Sequence, residues 1–154
     1  MNIIKGDLIH LVFTGYFDVI IHGCNCFCTM GAGIAKQIKE NFPAAFQADL
    51  KTKKGDKNKL GTYSQAKIDN KGKNFTIVNA YTQYDFAGHG VLVDYKAIEN
   101  IFSNIKNDFI NQRIGYPKIG AGLAKGDWRK IASLIDIQLQ GENHTLVDFV
   151  QNPL

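Results

Sequence analysis

The stretch His-Gly-Cys-Asn-Cys-Phe-Cys-Thr-Met-Gly-Ala-Gly-Ile-Ala at residues 22–35 decides the predicted fold. It follows Asp-Val-Ile-Ile at residues 18–21, a β-branched block without alternation that is typical of a strand buried on both faces. A helical apolar pattern comes after it and ends at Pro43. The loop between strand and helix carries Gly31 and Gly33, and such a loop presents backbone N–H groups and the positive end of the helix dipole to an anion. We therefore expect a site for a phosphorylated ligand at the carboxyl end of a central strand.

Length and composition are those of one folded domain. The chain has 154 residues, of which 45% are hydrophobic, so we predict a single domain over residues 1–154 with its own core. No stretch approaches the ~20 apolar residues that span a bilayer, and the N-terminus lacks the hydrophobic region of a signal peptide. We therefore expect a cytoplasmic monomer without a membrane partner.

The net charge of +4 comes from one segment. Residues 51–73 hold eight lysines and two aspartates, a local charge of +6 that leaves −2 for the rest. This segment is either a solvated lysine-rich surface or a site that attracts polyanions. No aromatic residue interrupts the lysines of residues 51–59, which argues against a base-stacking surface. We therefore do not expect a nucleic-acid partner.

The three cysteines, Cys24, Cys26 and Cys28, all lie in the deciding stretch. An odd number at this spacing does not indicate a disulfide framework. A Cys-x-Cys-x-Cys run beside His22 suggests zinc, but alternate residues of an extended segment spread along a line, whereas a closed site recruits a second ligand pair. We interpret the cysteines as small buried thiols and expect neither a metal nor another cofactor.

Strands and helices alternate along the rest of the chain. Asp94 and Asp127 are predicted helix caps, and Asp7 either caps the turn after the first strand or accepts from an amino group of a ligand. The alternation indicates an α/β fold with helices on both sides of a mostly parallel or mixed sheet. Strands are predicted near residues 2–5, 18–21, 61–67, 74–79, 113–117 and 145–150.

A second glycine loop, Ile-Gly-Ala-Gly-Leu-Ala-Lys-Gly at residues 119–126, also lies between a strand and a helix. Neither loop is a dinucleotide fingerprint, because Lys36 and Lys125 stand where the third glycine belongs, and no P-loop motif occurs. The two loops either are ordinary turns or converge at one edge of the sheet. In the second case they form two backbone cradles suited to a diphosphate.

Four motifs in order resemble the macrodomain family: Lys-Gly-Asp-Leu at 5–8, His-Gly-Cys-Asn-Cys at 22–26, Met-Gly-Ala-Gly-Ile-Ala at 30–35 and Tyr-Pro-Lys-Ile-Gly-Ala-Gly-Leu at 116–123. The resemblance runs from Lys5 to the last strand. It implies a three-layer α/β/α sandwich with a central mixed, mostly parallel sheet, and a site for ADP-ribose or a derivative. ADP-ribosylated macromolecules are further candidate partners.

The resemblance also assigns roles to individual residues. Asp7 would hold the adenine amino group with Leu8 beside it, and Asn25 would bind hydroxyls of the distal ribose. Phe149 either packs on the adenine or belongs to the core. The first loop would surround the distal ribose and its phosphate, and the second loop the diphosphate; these residues are Met30, Gly31, Ala32, Gly33 and Ile34, and Gly120, Ala121, Gly122, Leu123 and Ala124.

The resemblance to family branches favours one reaction. One hydrolase branch uses a lysine where this chain has Gln83, and an amide forms no Schiff base. The acidic partner expected in the second loop is also absent, since that place falls near Ala124. The His-x-Cys-Asn-Cys element and a loop histidine at His89 are more similar to the ADP-ribose 1″-phosphate phosphatase branch.

In that reaction Asn25 would hold the sugar, and His22 or His89 would act as acid or base. His22 is equally well interpreted as a structural histidine, because it ends a buried strand. Two other functions remain open. In the first, the protein binds ADP-ribose without hydrolysing any derivative of it. In the second, it is a hydrolase that removes mono-ADP-ribose without a catalytic lysine.

Overall fold

The computed structural model describes residues 1–151, so residues 152–154 of the predicted domain lie outside the described residues. Strands and helices alternate as the sequence predicts. Their bounds are β1 Asn2–Gly6, α1 Leu8–Phe13, β2 Val19–Cys24, α2 Gly33–Asn41, α3 Pro43–Leu50, a 3-10 turn at Lys57–Lys59, β3 Tyr63–Asn70, β4 Lys73–Tyr81, α4 Tyr95–Asp108, β5 Ile114–Tyr116, α5 Trp128–Gln138 and β6 His144–Phe149.

The strands form one sheet in the order β1-β6-β5-β2-β4-β3. Every neighbouring pair is parallel except β3 and β4, which form an antiparallel hairpin. The mixed, mostly parallel sheet is thereby confirmed. Because the carboxyl ends of parallel strands share one edge, the loops after β1, β2, β4, β5 and β6 all emerge on the same side.

Two separate hydrophobic cores lie on the two faces of the sheet. Val19 and Ile21 of β2 pack with α4 and α5, whereas Ile20 between them packs with α1, α2 and α3. All three side chains are fully buried, which is the reason why β2 shows no polar alternation in sequence. The three-layer α/β/α arrangement is confirmed.

Helix α1 was not predicted, because its six residues are too few to show a helical period. The structure shows the capping alternative for Asp7. Its Oδ1 accepts the backbone N–H groups of Ile9 at 2.9 Å and His10 at 3.3 Å. Among residues 1–151, no helix combines the length and the apolar character needed to cross a membrane.

Candidate functional site

A cleft of about 540 Å³ opens at the carboxyl ends of β2, β4 and β5. Both glycine loops contribute to its walls. The lining residues are Gly23, Cys24, Asn25, Thr29, Met30, Gly31, Ala32, Gly33, Ile34, Ala35, Asp49, Thr82, Gln83, Phe86, Pro117, Lys118, Ile119, Gly120, Gly122, Leu123 and Ala124. The two loops converge, and the alternative of two unrelated turns is therefore wrong.

The two glycine loops approach each other at Gly33 and Leu123. A Cβ atom built on Gly33 would lie 3.8 Å from Cδ1 of Leu123, which is van der Waals distance. Leu123 itself is 72% exposed, so its side chain extends over the first loop from the solvent side. Both loops thus line the same cleft, with the Leu123 side chain of the second loop next to Gly33 of the first.

The first glycine loop ends in an uncapped helix. Ala32 is the N-cap residue of α2 in extended conformation, and no side chain caps the helix there. The backbone N–H groups of residues 31–35 donate to no acceptor within residues 1–151. These unpaired donors belong to residues that line the cleft and carry the positive end of the helix dipole. Gly33, with φ of 57°, permits the sharp entry into the helix.

The second glycine loop is held by close backbone packing. Gly126 donates its N–H to the carbonyl of Gly120 at 2.7 Å, and a Cβ on Gly126 would lie 2.5 Å from that oxygen. Gly122 has open space around it instead. The N–H groups of residues 122–124 find no acceptor in the described part of the chain. The loop therefore offers a second set of free donors.

Asn25 joins the cleft to the loop that follows β2. Its Oδ1 accepts the N–H of Phe27 at 2.8 Å, and its Nδ2 donates to Oγ1 of Thr29 at 2.7 Å. The carboxamide keeps one N–H and one lone pair for a ligand. Asn25 lines the cleft, as the sequence predicts.

The two histidines do not line the cleft. His22 is fully buried, and its Nε2–H donates to Oδ1 of Asn79 at 2.7 Å. Burial lowers its pKa to about 4, so the ring stays neutral and out of reach of a ligand. This corrects the catalytic assignment of His22 and supports the structural alternative. His89 lies on an exposed loop beyond the cleft lining, and its catalytic role loses its geometric support.

Three ligand-binding predictions fall at the far end of the same sheet edge. Asp7 and Phe149 lie at the ends of neighbouring strands, since Gly6, the residue before Asp7, pairs with Phe149 in the β1–β6 ladder. Phe149 is 65% exposed, which excludes the core alternative. Leu8 is buried in the core of the α1 side. None of the three belongs to the cleft lining, and neither does Ala121, which packs against the other core.

Asp49 was missed by the sequence analysis and lines the cleft. Its carboxyl group is buried, Oδ1 accepts the Tyr81 hydroxyl at 2.7 Å, and Oδ2 has no partner. Burial raises its pKa, although the Tyr81 hydrogen bond and the charge of Lys59 oppose the shift. A carboxyl on the buried face of α3, four residues after the buried Ala45, was the available sequence signal.

A hydrogen-bonded chain links Asp49 to His22 behind the cleft wall. Ser64 Oγ lies 2.8 Å from the Tyr81 hydroxyl and accepts from Nδ2 of Asn79 at 3.0 Å. Asn79 Oδ1 in turn accepts from His22. Every member is buried or half-buried, so the chain stabilises the wall without reaching solvent.

Thr82 is the second lining residue with an unpartnered buried polar atom. Its Oγ1 has no hydrogen-bond partner in the described residues. A Cβ on Gly23 would lie 2.8 Å from that oxygen, so only glycine fits opposite it. Gln83 follows at the place of the missing lysine, and its Nε2 donates to the carbonyl of Asp85 at 2.7 Å.

The cysteines lie beside the cleft as free thiols. Cys24 and Cys26 are buried and Cys28 is half-buried. Burial raises the pKa of Cys26 to about 11 and that of Cys24 well above its usual range, so both carry their protons. Within residues 1–151, no group of three His, Cys, Asp or Glu side chains is arranged to hold a metal ion.

A mixed, mostly parallel sheet with two glycine loops at its carboxyl edge is typical of α/β domains that bind nucleotides. The Macro domain family model matches residues 21–135, and the chain belongs to this family. A 17.5 kDa protein from the tk-vs intergenic region of Enterobacteria phage T4 is 36% identical over 151 residues, covering 95% of this chain and 94% of the relative.

Solved structures share the fold. The macrodomain of Mycobacterium tuberculosis DarG superposes with a TM-score of 0.75 at 18% identity, covering 96% of this chain and 95% of that one. Thermosipho africanus DarTG in complex with ADP-ribose gives a TM-score of 0.70 at 17% identity. It covers 96% of this chain and 41% of the longer one. At this identity the likeness concerns the fold alone.

Proposed function

We propose that the protein binds ADP-ribose, with the diphosphate between the two glycine loops. The observation that carries the proposal is the set of unpaired N–H groups at residues 31–35 and 122–124, which face a shared cleft of about 540 Å³. A diphosphate supplies acceptors for both sets. The similar structure of Thermosipho africanus DarTG is in complex with ADP-ribose, and the family membership of this chain supports the same ligand.

The two ends of the ligand follow from the order of the strands. Asn25, after β2, would bind the distal ribose, and Asp7 with Phe149, after β1 and β6, would bind the adenine. β1 and β2 are three strand spacings apart in the sheet, a distance of about 14 Å. The diphosphate would lie between these ends, beside the loop that follows β5.

Isothermal titration calorimetry tests the binding. ADP-ribose should bind with one site per chain, and AMP should bind more weakly because it reaches only one of the two loops. The absence of heat and of any thermal shift with ADP-ribose at millimolar concentration would contradict the proposal.

A second candidate function is hydrolysis of ADP-ribose 1″-phosphate to ADP-ribose and phosphate. The observation that favours turnover is Asp49, a lining carboxyl with an unpartnered oxygen and a raised pKa. We infer that ligand binding exposes the Asp49 carboxyl, which is 1% exposed in this structure. Its proton then passes to the 1″ oxygen while water attacks the phosphorus and the P–O bond to that oxygen breaks. One water proton stays on the phosphate, and the other returns through solvent to Asp49.

Phosphate release from ADP-ribose 1″-phosphate tests this step. Asp49→Asn should lower the rate at least 100-fold while ADP-ribose still binds, and the exposed Asp69→Asn serves as the matched control. Equal rates in the two variants would remove Asp49 from the mechanism. Binding without release identifies a reader, and release of ADP-ribose from a modified protein identifies a mono-ADP-ribosyl hydrolase.

A further inference from the structure

Lys118 is the one positively charged side chain among the residues that line the cleft in the described part of the chain. It directly precedes the second glycine loop, so a full positive charge borders the backbone donors of that loop. The one carboxyl group in the lining belongs to Asp49, and burial raises its pKa, which disfavours its negative charge. The balance of charge in the lining therefore favours an anionic ligand.

The register of the sheet sets Lys118 opposite Asp148. Tyr116 pairs with Leu146 in the β5–β6 ladder, and Lys118 and Asp148 each follow their member of that pair by two residues. The Lys118 Nζ lies 3.6 Å from Oδ1 of Asp148. Because β6 separates β5 from β1 in the sheet, the ammonium group lies on the side of the cleft that is nearer to Phe149 and the proposed adenine end.

The ion pair between Lys118 and Asp148 holds the ammonium group loosely. Both side chains reach solvent, with exposed fractions of 49% and 42%, and an ion pair of this kind contributes little to stability. The distance of 3.6 Å also exceeds the usual range of N–H···O hydrogen bonds, which is about 2.7–3.2 Å. Lys118 can therefore turn to a phosphate group in hydrogen-bond range without disturbing the fold.

The other lysines near the two glycine loops are placed differently. Lys36 of α2 and Lys125 of the second loop are exposed, and neither lines the cleft. Lys39 donates to the carbonyl of Thr29 at 3.5 Å, which occupies its ammonium group in holding the first loop. Lys118 thus has a place that none of these three lysines shares.

We propose that Lys118 forms an ion pair with a phosphate group of the ligand and so makes the cleft specific for a diphosphate. This role of Lys118 rests on the proposed binding of ADP-ribose, and it adds a side chain to the backbone donors of the two loops. Backbone N–H groups at a helix start carry only partial charges, whereas each phosphate of the ligand carries a full negative charge. Lys118 supplies the full opposite charge beside the loop that follows β5, where the diphosphate would lie.

Asp148 would oppose this contact in two ways. Its carboxylate competes for the same ammonium group, and its negative charge repels an approaching phosphate. The affinity for a diphosphate therefore depends on the balance between the carboxylate and the phosphate as partners of Lys118. Removing the charge of Asp148 should increase the affinity, but the competitive part of the increase requires Lys118.

Calorimetry with ADP-ribose and three single variants tests the contact. Lys118→Met keeps an apolar stem but removes the charge, and it should weaken binding about tenfold, as expected for the loss of a hydrogen bond between charged groups. Lys118→Arg keeps the charge and should stay within about threefold of the wild-type affinity. Lys125→Met removes the same charge outside the cleft lining and should weaken binding less than about twofold. Equal losses in the two methionine variants would overturn the proposal.

Salt and a ligand without phosphate distinguish an ion pair from an indirect structural effect. Raising the ionic strength from about 0.01 M to about 0.15 M shortens the screening length from about 30 Å to about 8 Å. This change should weaken ADP-ribose binding more for the wild-type protein than for Lys118→Met. Adenosine, measured by ligand-observed NMR, should bind the two proteins alike. An equal salt dependence, or a loss of adenosine binding as large as the loss of ADP-ribose binding, would contradict the ion pair.

A double-mutant cycle tests the competition from Asp148. Asp148→Asn should strengthen ADP-ribose binding about threefold when Lys118 is present, because the half-exposed ion pair no longer competes. In the Lys118→Met background the same substitution should strengthen binding less than about 1.5-fold. An equal gain in both backgrounds would mean that Asp148 acts only by repulsion, and that it does not compete for Lys118.

The proposed function and the role of Lys118 fail in different ways. If the wild-type protein does not bind ADP-ribose, the proposed function is wrong and the role of Lys118 is wrong with it. If the wild-type protein binds ADP-ribose and Lys118→Met binds it equally well, the role of Lys118 alone is wrong. Thermal unfolding without ligand controls for damage to the fold, and it should be nearly unchanged in these variants because Lys118 and Lys125 are exposed.

Discussion

Asn25 combines a structural task with a predicted binding task in one carboxamide. It holds the loop after β2 through Phe27 and Thr29, and its remaining donor faces the cleft. Asn25→Asp keeps an acceptor for the Phe27 N–H, and the Thr29 hydroxyl can donate to the new carboxylate. We expect the free energy of unfolding to change by less than about 1 kcal/mol.

The Asn25→Asp substitution should change the affinity for ADP-ribose more than it changes the free energy of unfolding. The carboxylate removes a donor and adds a negative charge beside a diphosphate, so ADP-ribose should bind at least tenfold more weakly in calorimetry. Urea unfolding of the same variant controls for damage to the loop. Wild-type affinity would contradict the assignment of Asn25 to the ligand.

The neutral His22 makes stability depend on pH in a defined direction. Its pKa is about 4 in the folded protein and about 6.5 in the unfolded chain, so the unfolded state takes up the proton first. The free energy of unfolding should therefore fall between pH 6.5 and pH 4, with a slope approaching 1.4 kcal/mol per pH unit. Burial also lowers the pKa of His144, and this group acts in the same direction.

The His22→Gln variant separates the two histidines, because it keeps His144 and removes the titration of His22. The stability difference between wild-type and variant protein, measured by urea unfolding, should narrow as the pH falls below 6.5. A constant difference from pH 7.5 to pH 4.5 would mean that the buried imidazole does not titrate as proposed.

Helix α2 has no side-chain cap at Ala32. The helix is therefore less stable than a capped one, but its first backbone N–H groups stay free. Ala32→Asp should supply the missing cap and raise the free energy of unfolding by about 0.5–2 kcal/mol. The same carboxylate occupies the N–H groups that a diphosphate would use. ADP-ribose should therefore bind at least tenfold more weakly to a more stable protein.

The neutral cap in Ala32→Asn is the matched control for Ala32→Asp. It should stabilise α2 to a similar degree and weaken ADP-ribose binding less, because it adds no charge. Thermal unfolding and calorimetry on both variants measure the two effects. Unchanged affinity in Ala32→Asp would show that the helix start does not receive the ligand.

The backbone packing of the second glycine loop can be tested by comparing two substitutions, Gly126→Ala and Gly122→Ala. Gly126→Ala places a Cβ 2.5 Å from the carbonyl oxygen of Gly120, so the loop must move, at a cost of about 1–3 kcal/mol. Gly122→Ala meets no atom within 4 Å and should change stability by less than about 0.5 kcal/mol. Similar losses of stability in both variants, measured by urea unfolding, would contradict this packing.

The sequence predicts long elements better than short ones, for physical reasons. The buried strand β2 and the amphipathic helices α4 and α5 show clear patterns, and both aspartate caps at Asp94 and Asp127 are present. Helix α1 is too short for a period to appear. Asp49 and Phe86 reach the cleft only through tertiary packing, which brings α3 and the loop after β4 against the loop after β2.

Ligand binding should stabilise the whole molecule, because ADP-ribose binds the folded protein and not the unfolded chain. ADP-ribose at 100 times its dissociation constant should add about 2.7 kcal/mol to the free energy of unfolding. AMP at the same concentration should add less, because it makes only part of the contacts. Urea unfolding with each ligand measures the difference, and equal stabilisation would mean that the first glycine loop makes no contribution.

The sequence predicts the fold class but not the order of the strands in the sheet. Alternating strands and helices specify an α/β sheet, yet nothing local indicates that β1 pairs with β6 or that β4 lies between β2 and β3. The pairing of β1 with β6 brings together residues more than a hundred positions apart, such as Ile3 and Leu146. The resemblance to a family was the one source of that long-range information.

The close approach of Gly23 to Thr82 has a consequence for insertions and deletions. A one-residue deletion within Val19–Ile21 would move His22 into the place of Ile21 and away from Asn79. The shift would also bring a residue with a side chain to a point 2.8 Å from the Thr82 hydroxyl and withdraw Asn25 from its loop. The lack of a side chain at Gly23 thus helps to fix the register of β2 against β4.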